Sequence, residues 1–241
     1  MSTINLIPSA LKSLTRDGWI LFLTRFVRLF AYGSLSVILV FYLVGLGLTQ
    51  SQIGVLLTLT LAGDIVVSLF LTTRADRLGR RRMLVVGAIL MAAAGVAFAC
   101  TSNLLFLIIA GTIGVISPSG NEVGPFLSIE QAALTHVVLA RTRTEIFAWY
   151  TLAGSLATAS GALLGGVATN TLQRTGITPV ASYRFVVVLY AVLGILLAFV
   201  FTRVSSAAEV SVPEEKSAHC RGKTKEFIRH AACQVLLLPT G

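Results

Sequence analysis

The chain has 241 residues, 55% of them hydrophobic and only 12% charged, with a formal net charge of +9 and a mean hydropathy of +0.86. Soluble domains carry about 25% charged residues, so a water-soluble globular protein is excluded and a membrane protein is indicated. The basic residues gather at the ends of apolar runs, where they orient membrane spans, so the positive balance does not point to nucleic acid.

Residues 1–17 are polar with scattered apolar positions and lack the apolar core of a cleavable signal. They are expected to form a cytoplasmic tail, either mobile or lying along the membrane surface as an amphipathic helix. The first span is expected over residues 18–46 and carries two arginines in its early part. Arg25 is near enough to the cytoplasmic end to snorkel. Arg28, roughly 15 Å into the helix, is expected to have a polar interior role. Thr49 and Gln52 have the spacing of a capping box and open a second span over 53–73. Asp64 lies within it, where an ionised carboxylate costs about 2.5–3.5 kcal/mol unless paired or wet. Asp64 and Arg28 lie at similar depths on neighbouring antiparallel helices, so they are expected to pair or to share one polar cavity. The alternative is a protonated Asp64, or one bonded to nearby Thr and Ser hydroxyls.

A dense charged stretch, Ala75 to Arg82, leads to a third span over 83–100, rich in small residues that allow close helix approach. The fourth span, 104–138, is expected to be bent or broken, because Pro118, Gly120, Gly124 and Pro125 interrupt it. It continues as one long bent helix, or it ends near Pro118 and is followed by a loop and a surface helix. In the first case Asn121 and Glu122, with Glu130 further along, are candidates for the substrate or proton pathway, since broken helices at membrane depth line cavities. The fifth span, 146–169, places Gly161 and Gly165 at small-xxx-small spacing. The sixth covers 183–201. Residues 204–241 contain no span-length apolar run and are expected to form a flexible cytoplasmic tail. His219, Cys220, His230 and Cys233 fit no common zinc spacing, and three cysteines imply no disulfide framework. The basic residues divide as 17 on the expected cytoplasmic side against two outside, which predicts both termini inside. No catalytic triad, metal cluster or phosphate loop appears, so no enzyme, metal or cofactor is expected.

The run Asp76-Arg77-Leu78-Gly79-Arg80-Arg81 resembles the loop signature of the major facilitator superfamily, G-x-x-x-D-R-x-G-R-R, with Thr72 at the first glycine. Gly161-Ala162-Leu163-Leu164-Gly165-Gly166 resembles the G-P-x-x-G-G element of its antiporters, with Ala162 at the proline. The resemblance covers residues 18–203. It implies an all-α membrane protein, a six-transmembrane-helix bundle resembling one half of that fold. It further implies secondary active transport of a small solute by alternating access. The ionisable groups within the spans, taken by themselves, add the expectation of proton coupling through Asp64 and Glu122, with Arg28 as countercharge. Asp76, Arg77, Gly79, Arg80 and Arg81 would form a gating loop that latches this half to a C-terminal half, and Gly161, Gly165 and Gly166 would pack helices. The expected partners are the lipid bilayer, a small-molecule substrate, and a second half or a second copy, in the plasma membrane. After Arg203 the chain resembles the start of the family's long central loop, and the ending Ala231 to Gly241 resembles no transporter segment, as in a truncated gene product or a half-transporter that dimerises. The alternative is a non-transporting half that regulates a full-length relative.

Overall fold

A computed structural model describes residues 14–114, 116, 118, 125–138 and 142–203. Seven helices are described: α1 (Arg16–Gly45), α2 (Gln50–Leu78), α3 (Arg80–Cys100), α4 (Leu104–Ile113), α5 (Pro125–Val137), α6 (Arg143–Arg174) and α7 (Pro179–Phe201). Five of them are long and apolar enough to cross a membrane, whereas α4 is apolar but only 10 residues long. The tail 204–241 and most of the N-terminal tail lie outside the described residues.

Local chemistry sets the helix ends. The Thr15 hydroxyl accepts from the Gly18 amide at the start of α1. At α2 the capping box forms in both directions: the Gln52 amide reaches the Thr49 side chain, and the Gln52 side chain accepts from the Thr49 amide at 2.9 Å. Asn103 caps α4 through the Leu105 amide, 3.0 Å away. Pro179, with no N–H to satisfy, begins α7. The charged stretch after α2 is not an open loop. Asp76 and Arg77 belong to the last turn of α2, Arg80 and Arg81 to the first turn of α3, and Gly79 alone separates the helices. Its φ of 95° suits glycine and costs other residues strain.

The most extensive packing joins α1 to α6, α3 to α7, α1 to α7, and α2 to α4. Without a hydrophobic drive between helices in lipid, such contacts depend on close approach and interhelical hydrogen bonds. The α1–α6 seam supplies both. A Cβ on Gly161 would lie 2.1 Å from the Phe30 carbonyl oxygen, and one on Gly33 would lie 2.1 Å from that of Thr158. Between them the Ser34 hydroxyl bridges to the carbonyls of Phe30 and Gly161, each at 2.9 Å. Gly165 sits against Ser34 in the same seam. Gly166 does not: about 100° further round the helix, it has no atom within 4 Å of a Cβ position and borders an open cleft with Val37, Phe41 and Thr169.

Large apolar side chains such as Leu23, Phe41, Val66, Phe106, Leu163 and Phe199 are more than half exposed on the outer faces. In water such a surface would aggregate; against lipid tails it is matched. The protein is a multi-pass membrane protein whose outer helix faces contact the bilayer.

The stretch expected as a bent or broken fourth span contains two described helices, α4 and α5, and α5 is not a surface helix. Phe126, Ile129, Glu130 and Leu134 are all buried within the bundle, and α5 contacts α1, α2 and α3. Asn121 and Glu122, between the two helices, lie outside the described residues.

Candidate functional site

Three helices each bring two residues one turn apart onto a shared face. Arg25 and Arg28 are i, i+3 on α1, Phe126 and Glu130 are i, i+4 on α5, and Tyr150 and Gly154 are i, i+4 on α6. Arg28 and Glu130 are both 0% exposed and form a two-pronged ion pair, Nη1 to Oε1 at 2.6 Å and Nη2 to Oε2 at 2.8 Å. Paired forks of this kind are about twice as strong as neutral hydrogen bonds and fix the mutual orientation of the two groups. The Tyr150 hydroxyl donates to Oε2 of the same carboxylate. The Thr24 hydroxyl, bonded to the Leu21 carbonyl, lies 3.5 Å from Oε1.

Aromatic rings complete the enclosure. The Arg28 guanidinium carbon lies 4.5 Å from the centre of the Phe126 ring, and Phe126 stacks on Phe201 with centroids 6.0 Å apart. Arg25 covers the face of Tyr150 at 4.3 Å, and Phe22 meets the same ring edge-on. Arg25 therefore does not snorkel. It is 7% exposed and folds inward over Tyr150, into a notch at Gly154, where a Cβ would lie 2.7 Å from Arg25 Nε.

The expected Arg28–Asp64 pair does not form. Arg28 is engaged by Glu130, and both carboxylate oxygens of Asp64 are buried without a hydrogen-bond partner. Thr60, one turn earlier on α2, is likewise buried with its hydroxyl unpartnered, beside the notch left by Gly111 of α4. Both side chains are 1% exposed. A ring pair from α1 and α7, Tyr32 and Tyr190, lies 6.1 Å apart between centroids.

At the charged joint, Arg81 donates to the Thr202 carbonyl just beyond α7, so this signature arginine closes a contact within its own bundle. Arg80 is buried at the start of α3. The side chains of Asp76 and Arg77 lie outside the described atoms.

Sequence reasoning passed over Tyr150, Thr24 and Phe126. The available signal was that a tyrosine inside an apolar span needs a partner for its hydroxyl, and that Phe126 and Glu130 share one helical face. The arrangement can hold a carboxylate with a guanidinium and a phenol in a dry setting, and it leaves a second carboxyl, Asp64, uncompensated on another helix. Among the described residues no group of three or more His, Cys, Asp or Glu side chains could hold a metal ion.

Comparison with known proteins agrees with the signature. The family model of the Major Facilitator Superfamily matches residues 21–238. The chain is 37% identical over 217 residues to an uncharacterized membrane protein of Saccharomyces cerevisiae, YJR124C, covering 89% of this chain and 48% of that protein. It is 30% identical over 104 residues to the quinolone resistance protein NorA of Staphylococcus aureus, covering 43% of this chain and 27% of that protein. The chain thus spans about half the length, or less, of the curated relatives it matches. The chain belongs to the Major Facilitator Superfamily, whose members are membrane transporters.

Proposed function

We propose that the chain forms one six-span half of a secondary active transporter that moves a small solute by alternating access, with proton coupling. In this reading α4 and α5 together make the fourth span, and both termini are cytoplasmic, in the plasma membrane. The observation that carries the proposal is a set of ionisable groups enclosed by apolar helices: Arg28 and Glu130 fully buried together, and Asp64 buried without a hydrogen-bond partner. Ionisable groups at membrane depth are costly, and their common use is to form substrate and proton pathways. Arg28, Asp64, Asn121, Glu122 and Glu130 form that pathway. Asp64, with no hydrogen-bond partner, is the group best suited to exchange a proton as the site changes its exposure. Asp76, Arg77, Gly79, Arg80 and Arg81 form the gating loop. The partner half comes from a second copy or from a separate C-terminal half. The likeness of part of the chain to a quinolone resistance protein supports a small organic solute as cargo.

Reconstitution into liposomes tests the proposal, with an entrapped pH dye reporting proton movement when a panel of small organic solutes, a quinolone among them, is added. Solute-dependent proton flux that Asp64→Asn abolishes is expected. Solute flux independent of any pH gradient would refute proton coupling, and no flux of any solute would refute transport.

A further inference from the structure

The structure assigns a chemical class to the cargo: we infer that the transported solute carries a carboxylate, which takes the place of the Glu130 side chain on Arg28. The inference rests on the reading of this cluster as part of the transport pathway.

The cradle and its occupant come from different helices. Arg28 of α1 supplies a flat two-pronged donor, and Tyr150 of α6 supplies a hydroxyl to the same carboxylate. These two helices form the most extensive contact in the bundle and are held at backbone distance by Gly33, Gly161 and the Ser34 bridge. The donors are therefore set on a rigid pair. The acceptor is delivered by α5, a 13-residue helix with far less contact to α1, and it follows the interrupted stretch after α4. A carboxylate cradle on a rigid pair, filled by a side chain on a short separate helix, is built for exchange of one carboxylate for another. The exchange conserves charge: a guanidinium that loses the Glu130 carboxylate to solvent as α5 swings away is left with a large desolvation deficit, and a cargo carboxylate restores the same two bonds. The planar fork favours a carboxylate over a spherical anion. Phe22, which packs against the Tyr150 ring on the rigid side of the cradle, supplies apolar contact for the rest of a small organic acid.

Emptying the cradle by mutation tests this without requiring transport. Purified Glu130→Ala in mild detergent is titrated with sodium acetate against sodium chloride and sodium phosphate at matched ionic strength, with melting temperature as the readout. The expected result is a rise of about 3 °C for each tenfold increase in acetate above its dissociation constant. Wild-type protein, with the cradle filled, and the double variant Arg28→Gln/Glu130→Ala are expected to show no such rise. A folded Glu130→Ala that ignores acetate, or responds equally to chloride or phosphate, overturns the inference. If Glu130→Ala does not yield folded protein, recovery in acetate but not in chloride supports the cradle, and failure in both counts against it. In proteoliposomes, saturable uptake of radiolabelled lactate or benzoate that Arg28→Lys impairs supports a carboxylate cargo, and flux of neutral or cationic solutes alone overturns it. Acetate binding without any transport would leave the cradle standing while refuting the transporter reading.

Discussion

Replacing Glu130 with Gln removes one charge and almost no volume. The Arg28 guanidinium stays where it is, 0% exposed and stacked on Phe126, but faces an amide in place of a carboxylate. Two charge-assisted bonds and the Tyr150 bond to Oε2 are weakened together. Breaking a buried ion pair by neutralising one partner costs about 3–5 kcal/mol, because the surviving charge remains buried. For a chain of this size 1 kcal/mol corresponds to roughly 2–4 °C, so a fall in melting temperature of about 10 °C is expected. Thermal unfolding in mild detergent, followed by the fluorescence of Trp19 and Trp149, measures it. The double variant Arg28→Gln/Glu130→Gln removes both charges and is expected to recover most of the loss, giving a coupling energy well above the roughly 0.5 kcal/mol of independent sites. A single variant melting within about 1 °C of wild type, or a double variant equal to the sum of the singles, would show that the pair does not hold α5 to α1.

Asp64 predicts the opposite sign in the same assay: Asp64→Leu removes a buried carboxyl that has no hydrogen-bond partner, and is expected to stabilise by about 1–3 kcal/mol; destabilisation would mean that the carboxyl is anchored. The two adjacent glycines of α6 also separate cleanly. Gly165 lies in the α1 seam and Gly166 faces open space, so Gly166→Ala is expected within about 0.5 kcal/mol of wild type. Gly161→Ala, whose Cβ would meet the Phe30 carbonyl at 2.1 Å, should cost about 1–3 kcal/mol through overpacking; equal melting temperatures would contradict the seam.

The helical spans were legible because apolar length and flanking arginines carry the signal almost residue by residue. The capping box at Thr49 and Gln52 could be read for the same reason: it is local. Arg28's need for a counter-charge was also legible, since its depth follows from counting residues along one uninterrupted helix. Which carboxylate answers it was not. Asp64 also sits on an uninterrupted helix, so its depth could be counted, and it matched. Glu130 follows a stretch with two prolines and three glycines between residues 114 and 125, where the rise per residue is undefined, so its depth could not be compared. Arg25 was misread for a different reason. Snorkelling depends on the nearest water, whereas its inward fold depends on a notch made by Gly154, 129 positions away in the chain, which no local pattern announces. Gly166 shows the limit of motif reading within a single helix: adjacent to Gly165 in sequence, it is turned to a different neighbour.

Gly79 has a mechanical consequence. One residue spans at most about 3.6 Å, and it is the whole connection between α2 and α3. Sliding one helix past the other by a turn requires about 5.4 Å, more than this joint can pay out without unwinding a helix end. It would also drag Arg77 or Arg80 toward the hydrocarbon. The pair therefore has no axial play. Any rearrangement of α2 relative to α3 is expected to be a rotation about Gly79, with the arginines on either side of it moving little along the helix axes.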